Sequence, residues 1–548
     1  MNMRRYYLSI FLSFSLVTLK SQVTFQKTYG ISLVNPFGSG KGIRQTTDGG
    51  YILTGTKDRT KYSVEFCYSI DTYLIKIDSL GKIEWSKTFY EKPLSMYSND
   101  LINAGTSIEV TKDGGYIIAG TQGQDCLDFM QVESKETFSY ILKTDVMGNF
   151  QWSGVYGYSG SVYSDETAND VQNTMDGGYV VTGYRLKSGS WSDHDAYLMK
   201  LNSAGTLQWS FNYGNTMPED GNAVIETNDN GFAIAGYFNN NGLNNYTYLI
   251  KLSSDGNMLW DKVYGSNGIA RAILQTSDGG YIMTGTECNN NNCDIFLLKC
   301  SSDGTLLWNK WFGGPLTEEA YALKQTTGGD LIIAGSSKNF DSNGDAYLLK
   351  TDPSGNLLWS KTYGGSNSDI AYSLDITNDD GYILTGSTRS FGLSGYDIYV
   401  VKTDKDGNSN CNEQIPSIIT GTVTGSSSPY NGAVVTANIT KYDSTSDEGP
   451  GALEDSVCWT TGIQEEKIRT CNIYPNPFTS SLTFEIDSKI NIGELRFDML
   501  DVFGRKMREL KITDRKFQIE RNGLPSGIYF YKISSENKII GTGKLIAQ

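Results

Sequence analysis

The chain repeats one block of about 50 residues, a period that is typical of units stacked or closed into a ring around a shared core. The block occurs seven times, and its most regular part is an Asp-Gly-Gly-Tyr turn followed by an apolar run. These turns begin at Asp48, Asp113, Asp176, Asp229, Asp278, Thr327 and Asp379. Each run leads into a strand-like phrase such as Asp195 to Lys200, without helical periodicity. Blocks built only of strands and glycine turns predict a closed ring of small sheets.

An aromatic strand in the block indicates how the ring closes. It follows six blocks, with its ring at Trp85, Trp152, Trp209, Trp260, Trp308 and Trp359. The last block lacks this strand after Asn408, whereas a solitary copy, Thr24 to Gly30, opens the chain with Phe25 in the tryptophan position. Because an unfinished sheet would expose unpaired backbone groups, we expect Thr24–Gly30 to pair beside Tyr396–Asp404. The predicted fold is all-β, a seven-bladed β-propeller over residues 22–408 closed by its N-terminal strand.

Side-chain size predicts the order of strands within a blade. The phrase before each glycine turn contains small residues, as in Ala270-Arg-Ala and Ala320-Tyr-Ala, and suits the crowded axis. The tryptophan strand is expected outermost, where a large ring can cover the neighbouring blade. The hairpin Asp352-x-x-Gly-x-x-x-Trp359 resembles the tryptophan-docking repeat of quinoprotein propellers. That resemblance covers the hairpin alone and implies the fold, without any catalytic residue.

Composition and the amino terminus indicate export. The net charge of −15 and the pI of about 4.7 exclude a nucleic-acid binder, which needs a basic surface. Arg4 and Arg5 precede an apolar stretch, Tyr6 to Leu19, and Ser21 offers a small residue for cleavage, so residues 1–21 are predicted to be a signal peptide. No later apolar run is long enough to span a membrane. The mature chain is therefore expected to be secreted or surface-exposed, by way of the periplasm. It is expected to be a monomer.

Eight cysteines fit an oxidising destination. Three pairs are candidate disulfides: Cys67 with Cys126, Cys288 with Cys293, and Cys411 with Cys458. Zinc is the alternative for Cys288 and Cys293, but no further ligands of suitable spacing stand nearby. Cys300 and Cys471 have no evident partner.

The character of the sequence changes after Asn408. Residues 409–466 are rich in Ser, Thr and Gly and are interpreted as a linker. Residues 467–548 form a compact module with the phrases Asn472-Ile-Tyr-Pro-Asn-Pro-Phe478, Leu500-Asp-Val-Phe-Gly-Arg505 and Leu524-Pro-Ser-Gly-Ile-Tyr-Phe530. These phrases closely resemble the type A C-terminal sorting domain of the type IX secretion system of Bacteroidota. The resemblance implies an Ig-like β-sandwich that the translocon recognises and that is usually removed on export, leaving the protein released or linked to surface lipopolysaccharide.

The sequence offers little for catalysis or for a cofactor. The single histidine, His194, lies in a polar loop, where a surface role is the ordinary explanation. The paired acids Asp165/Glu166, Glu219/Asp220 and Glu318/Glu319 keep polysaccharide cleavage open, but they share one repeat position and are interpreted as solvated loops. Two oxygen-rich turns, Asp341–Asp345 and Asp404–Asn408, are weak calcium candidates. No cofactor is predicted.

Recognition is expected on the face opposite the two tight turns, because the connections there vary in length while the scaffold stays constant. Aromatic rings beside acids and amides suit sugars or a protein partner. The candidate ligand-binding residues are Tyr62, Tyr97, Phe129, Tyr163, Trp191, His194, Phe238, Phe340 and Tyr396. The functional hypothesis is a binding or adhesion protein for glycan or protein, exported through the type IX translocon. The alternative is a polysaccharide-degrading enzyme, a glycoside hydrolase or lyase, that uses loop carboxylates.

Overall fold

The structure, a computed structural model, is built from β-strands in two compact units, Met1–Thr460 and Thr461–Gln548. It describes residues 22–30, 38–58, 70–91, 102–127, 133–157, 164–187, 193–240, 244–265, 267–289, 292–338, 343–392, 395–422, 427–428, 433–436, 440–442, 446–448, 453–459, 471–486, 495–501, 505–535 and 538–547. No helix that could cross a membrane occurs in this part of the chain. Residues 1–21, with the predicted signal peptide, lie outside it.

In the described part of the first unit, the first 28 strands pair antiparallel in seven groups of four. Short parallel pairings, Ile70 with Ile102 and Ser164–Asp165 with Glu136–Thr137, join three of these groups into one larger sheet. The solitary first strand is β1 (Phe25–Gly30). The others, in chain order, are β2 (Gly38–Gln45), β3 (Tyr51–Asp58), β4 (Ile70–Ile77) and β5 (Ile83–Glu91); β6 (Ile102–Val110), β7 (Tyr116–Leu127), β8 (Glu133–Thr144) and β9 (Phe150–Gly157); β10 (Ser164–Asn173), β11 (Tyr179–Leu186), β12 (His194–Leu201) and β13 (Leu207–Gly214); β14 (Glu219–Glu226), β15 (Phe232–Asn239), β16 (Asn245–Leu252) and β17 (Met258–Tyr264); β18 (Gly268–Gln275), β19 (Tyr281–Asn289), β20 (Asn292–Cys300) and β21 (Leu306–Gly313); β22 (Glu318–Gln325), β23 (Leu331–Ser337), β24 (Asp345–Thr351) and β25 (Leu357–Tyr363); and β26 (Asp369–Ile376), β27 (Tyr382–Thr388) and β28 (Asp397–Thr403).

The Asp-Gly-Gly turns between the first two strands of a group follow from local chemistry. In the first, Thr46 Oγ1 and Gly50 N donate to Asp48 Oδ1, and Gly49 has a φ of +85°, which favours glycine. Lys76 from the third strand then pairs with Asp48 at 2.9 Å, and its side chain is buried. The same lysine–aspartate pair recurs in five later groups: Lys143–Asp113, Lys200–Asp176, Lys251–Asp229, Lys299–Asp278 and Lys402–Asp379. In the turn that begins at Thr327, Lys350 pairs instead with Asp330 at the end of the turn.

The N-terminal strand completes the last group, as predicted. β1 pairs antiparallel with β28, from Phe25 opposite Lys402 to Tyr29 opposite Ile398. Every residue of β1 is buried, and the innermost strand of the first group, β2, contacts β26 of the last. Strands that are hundreds of residues apart in the chain therefore share one sheet.

Consecutive groups are held together by an aromatic ring that packs on a glycine of the next group. A Cβ on Gly205, whose φ is +71°, would lie 2.5 Å from the ring of Trp152. Tyr156 Oη also donates to Gly205 O at 2.6 Å. The packed pairs are Trp85–Gly148, Trp152–Gly205, Trp209–Gly256, Trp260–Gly304, Trp308–Gly355, Trp359–Gly407 and, between the last group and the first, Phe25–Gly81. Phe25 therefore takes the tryptophan position, as predicted, and the contacts lead through all the described groups back to the first.

The interpretation of residues 409–466 as a linker is wrong for the described strands between residues 413 and 459. Seven short described strands in this segment, here called the belt, each pair antiparallel with the aromatic strand of one group. They are β29 (Glu413–Gln414), β30 (Ile419–Thr422), β31 (Ser427–Ser428), β32 (Ala433–Thr436), β33 (Thr440–Tyr442), β34 (Ser446–Glu448) and β35 (Leu453–Trp459). In that order they pair with β25, β21, β17, β13, β9, β5 and β1. The physical reason is that the aromatic strands would otherwise present unpaired N–H and C=O groups at seven edges.

The second unit contains two antiparallel sheets in its described residues. One consists of β36 (Cys471–Tyr474), β37 (Ser481–Ile486) and β40 (Lys516–Glu520), and the other of β38 (Leu495–Leu500), β39 (Lys506–Lys511), β41 (Gly527–Ser535) and β42 (Lys538–Ala547). Their core includes Phe484 stacked on Phe517, with ring centroids 5.0 Å apart. In the Tyr-Pro-Asn-Pro phrase both X-Pro bonds are cis, and Phe478 N donates to Ile546 O on the last strand at 2.9 Å.

Candidate functional site

The structure describes only three of the predicted ligand-binding residues and does not bring those three together. Tyr62, Tyr97, Phe129, Tyr163, Trp191 and Phe340 lie outside the described residues. Phe238 is buried and stacks on Tyr246 of its own hairpin at 4.9 Å. Tyr396 lies under the guanidinium of Arg389, 4.9 Å from the ring centroid. For Phe238 in particular, packing within the hairpin explains the aromatic residue without a ligand.

His194 belongs to a polar cluster at the start of β12. Its Nε2 lies 2.6 Å from Asp220 Oδ1, and its ring centroid lies 4.8 Å from that of Tyr184. Tyr184 Oη in turn donates to Asp165 Oδ1 at 3.3 Å. The cluster therefore links β10, β11, β12 and β14, and its contacts place His194 in a partly buried bridge between two groups rather than in a solvated loop.

The interpretation of the three acidic pairs as solvated loops is wrong for four of the six residues. Glu166, Glu219, Asp220 and Glu318 are buried. Glu318 accepts hydrogen bonds from Gly314 N and Ser337 Oγ, each at 2.9 Å. Burial, with the nearby charge of Asp294, raises the pKa of Glu318 to about 7 despite those bonds. Glu166 instead forms a buried ion pair with Arg185 at 2.8 Å. None of these four residues borders the cavity of about 640 Å³ among the innermost strands.

A cavity of about 640 Å³ lies among the innermost strands β2, β6, β10, β14, β18, β22 and β26, all of which contribute to its wall. Each of these strands contains a β-bulge at the same place, where the register slips by one residue. A bulge leaves one residue unpaired and can redirect its side chain, a common device next to binding sites. The extra residues, here called the bulge layer, are Lys41, Thr106, Asn169, Asn222, Arg271, Tyr321 and Tyr372, and all line the cavity.

Four members of the bulge layer, on neighbouring strands, form a cation–aromatic cluster. Tyr321 and Tyr372 meet edge to face with centroids 5.0 Å apart. Arg271 lies over Tyr321 at 4.8 Å and Lys41 over Tyr372 at 3.7 Å. Burial, and next the charge of Arg271, lowers the pKa of Lys41 to about 8. The other three members are neutral and bond to adjacent strands, as when Asn222 Nδ2 donates to Ala270 O at 2.8 Å.

A second set of charges in the same cavity is neutralised within the protein. Arg44 donates to Glu109 Oε1 through Nε and Nη2, at 2.8 and 2.7 Å. Lys324 lies 3.5 Å from Asp375. By contrast, Lys41 and Arg271 form no ion pair or hydrogen bond within the described part of the chain. The sequence pattern did not predict this cluster, because the interpretation of the inner strands rested on their small residues. The cluster residues stand between those small residues, as in Ala270-Arg-Ala and Ala320-Tyr-Ala.

The remaining predicted sites are partly described. Cys288 and Cys293 form the predicted disulfide across the β19–β20 hairpin. Cys411 is disulfide-bonded too, to a partner outside the described side chains. The backbone of Cys458 lies opposite Gln26, whose side-chain amide donates to Cys411 O, so Cys458 stays the predicted partner. The side chains of Cys67 and Cys126 lie outside the description, and Cys300 is a buried free thiol.

The Asp404 turn uses its carboxylate for its own backbone. Asp404 Oδ1 accepts from Asp406 N at 2.9 Å and Asn408 N at 2.7 Å, and Oδ2 accepts from Asn408 Nδ2 at 2.7 Å. Asp352 does the same in the preceding group. The other calcium candidate falls partly outside the described residues, with Asp345 buried at the start of β24. Of the described His, Cys, Asp and Glu side chains, no three are grouped as metal ligands would be.

Comparison with known proteins identifies the second unit. Residues 472–548 match the model of the secretion system C-terminal sorting domain. No curated protein matches the chain. Among solved structures, Sqt1 from Chaetomium thermophilum is 12% identical over 71% of this chain and 87% of that one, with a TM-score of 0.37. PorZ, a surface component of the type-IX secretion system of Porphyromonas gingivalis, is 9% identical over 96% of this chain and 100% of that one, with a TM-score of 0.20.

Neither structural likeness is close enough to carry an argument. The sorting-domain match covers the same phrases on which the resemblance was based, and in the structure those phrases build the two sheets around Phe484. The protein is therefore a cargo of the type IX secretion system that reaches the cell surface or the extracellular space by way of the periplasm, with its C-terminal sorting domain at residues 472–548.

Proposed function

We propose that residues 22–459 form a seven-bladed β-propeller that binds a ligand at the outer cell surface. The carrying observation is the cavity of about 640 Å³ whose wall takes residues from all the inner strands. The sequence of aromatic–glycine contacts, from Phe25–Gly81 through to Trp359–Gly407, supports ring closure. A rigid scaffold around a cavity with polar groups on its wall is the usual setting of a binding site.

Binding, rather than catalysis, agrees best with where the acids lie. Four of the six residues in the acidic pairs that suggested a polysaccharide-degrading enzyme are buried. Glu318, whose pKa of about 7 would suit a general acid, is enclosed by Gly314 and Ser337. The ligand proposed is a glycan or protein of the extracellular surroundings, and the loop residues outside the described part, such as Trp191, remain candidates for its contacts.

A glycan array with the full-length chain tests this function. We expect capture of one ligand class, followed by no release of reducing sugar from the captured glycan. Replacing Trp191 by Ala tests the loop face, with an expected loss of capture and little change in thermal unfolding. Product formation from a bound glycan would replace the binding proposal with the enzyme.

The sorting function predicts a second phenotype. A chain that ends before Asn472 should fold and remain in the periplasm, because the translocon recognises the sorting domain. Fractionation and surface proteolysis measure its location. Normal surface exposure of the shortened chain would contradict dependence on residues 472–548.

A further inference from the structure

The charge balance of the cavity points to an anionic ligand. The chain as a whole carries a net charge of −15, yet Lys41 and Arg271 face one cavity without an ion-paired carboxylate among the described residues. The carboxylate on the cavity wall, Asp170, accepts hydrogen bonds from Ser107 Oγ at 2.8 Å and Val224 N at 3.0 Å. Holding two like charges together and partly out of water costs free energy. Glu319, on the same strand as Tyr321, accepts a hydrogen bond from Tyr321 Oη at 2.6 Å and forms no ion pair with either cation in the described part of the chain.

The bulges show that this arrangement is built into the strands. Lys41, Arg271, Tyr321 and Tyr372 occupy the same bulge position of four neighbouring inner strands, and each is half-buried and borders the cavity. The order around the wall is cation, ring, ring, cation, with each cation over the face of its neighbouring ring. Those contacts fix both cations in position while leaving their N–H groups without hydrogen-bond acceptors in the described part of the chain.

We propose that the cavity binds a small oxyanion-bearing ligand, a carboxylated saccharide, with its anionic group between Lys41 and Arg271. Guanidinium and ammonium groups give charge-assisted hydrogen bonds to a carboxylate, which are stronger than neutral ones. The other three strands of the wall carry Thr106, Asn169 and Asn222, whose side chains donate to neighbouring backbone carbonyls and whose oxygen atoms can accept from sugar hydroxyls. This inference deepens the proposed binding function and rests on it.

Isothermal titration of the full-length chain with D-glucuronate tests the site, with D-glucose as the neutral match and sodium sulfate as a simple oxyanion. We expect glucuronate to bind at least about tenfold more tightly than glucose. Lys41→Gln and Arg271→Gln should each weaken glucuronate binding about tenfold or more. Lys324→Gln is the matched control, because Lys324 borders the same cavity but is paired with Asp375, and it should leave the affinity within about twofold.

A pH series separates a charge contact from a general loss of structure. Because the pKa of Lys41 is lowered to about 8, its charge and the affinity for glucuronate should fall between pH 7 and 9. Burial raises the pKa of both Tyr321 and Tyr372, so the two rings stay neutral in that range. Lys324 on the same cavity wall has a lowered pKa, first through the charge of Arg44, so Lys324→Gln measured over the same pH series removes its contribution. Lys41→Arg should bind glucuronate without this pH dependence, and thermal unfolding checks that each variant is folded.

The outcomes discriminate. Sulfate binding that also needs Lys41 and Arg271 supports an oxyanion site, and glucuronate binding without sulfate binding supports the carboxylated saccharide. Equal binding of glucose, unchanged affinity in Lys41→Gln and Arg271→Gln, or no binding of glucuronate at 10 mM would each overturn the inference. If the glycan array still captures a neutral ligand, the proposed binding function stands without the oxyanion site. If neither the titration nor the array shows binding, the proposed binding function is overturned as well.

Discussion

The repeat strands β1–β28 and the belt strands β29–β35 belong to the same sheets but differ in their described contacts. A repeat strand is fixed on both faces by buried side chains, as Tyr156 is by its hydrogen bond to Gly205 O. A belt strand is two to seven residues long and, in its described contacts, is held mainly by pairing with one outer edge, as at Thr420 opposite Phe312. Side-chain docking needs a repeated sequence, whereas edge pairing needs only an extended backbone of suitable length.

The largest effect is expected from deleting β1, because this strand pairs with both a repeat strand and a belt strand. β1 pairs with β28 on one side and with β35 on the other, and Phe25 and Tyr29 are buried. Deleting residues 23–30 should lower the free energy of unfolding by about 5 kcal/mol or more, or cause aggregation, because two edges and a core are opened. Thermal unfolding and size-exclusion chromatography measure this. A soluble monomer that unfolds like the parent would contradict the role of β1 in closure.

Removing the belt should have the next largest effect. A chain that ends at Asn408 exposes the outer edge of every described group, whereas a chain that ends at Thr460 keeps all seven belt strands. We expect the shorter chain to unfold at least about 5 °C lower and to aggregate, and the longer one to match the first unit of the parent. Equal melting temperatures of the two chains would show that the belt contributes nothing to the stability of the first unit.

The belt also limits the part of the chain in which cleavage on export is expected. Mass spectrometry of the exported protein should place its carboxyl end between Trp459 and Cys471, because a cut inside β34 or β35 would sever paired strands.

A glycine pair should show how much side-chain docking contributes to the repeats. Gly49 and Gly205 both have a positive φ, but a Cβ on Gly49 meets nothing within 4 Å, whereas one on Gly205 would lie 2.5 Å from Trp152. Gly49→Ala should cost about 1 kcal/mol of unfolding free energy from backbone strain alone. Gly205→Ala should cost about 2 to 4 kcal/mol because it also displaces the tryptophan. Equal losses in chemical denaturation would mean that the docked ring contributes nothing.

A buried acid between repeat groups should make their stability depend on pH. The pKa of Glu318 is raised to about 7, so the folded state holds its proton more tightly than the unfolded state does. The resulting stability is complete below about pH 4.5 and is lost as the pH rises through 7. Glu318→Gln cannot ionise, so at pH 8 it should be more stable than the parent by about 1 to 3 kcal/mol, with a smaller difference at pH 5. A difference that is the same at both pH values would argue against the raised pKa.

The smallest effect is expected at a belt glycine. A Cβ on Gly421 would lie 2.2 Å from Trp311 Nε1, closer than the clash at Gly205. Gly421→Ala should nevertheless cost less than about 1 kcal/mol, because a strand held mainly by edge pairing can shift with its neighbour. A loss as large as that of Gly205→Ala would show that the belt is packed as tightly as the repeats.

Much of the repeat architecture is predictable, since each feature is local or periodic. The Asp48 turn, the aromatic strand around Trp152 and the tie between Phe25 and the last group can all be derived from spacing, and the disulfide Cys288–Cys293 from proximity in one hairpin. The belt could not be predicted from hydrophobic pattern, because short polar strands such as Ser427–Ser428 pair through backbone atoms that all residues share. Burial of Glu219 could not be predicted either, because the fold of the loop above it decides its exposure.

The sequence by itself determined the number of repeated blocks, the completion of the last block by Thr24–Gly30 and the sorting domain at the carboxyl end, because these depend on order along the chain. Only the tertiary structure decided which side chains meet. Lys41 and Arg271 are 230 residues apart, and it is the bulges in β2 and β18 that turn both toward one cavity beside Tyr321 and Tyr372. Charge along a chain is a property of the sequence, but an unneutralised charge is a property of distances in space.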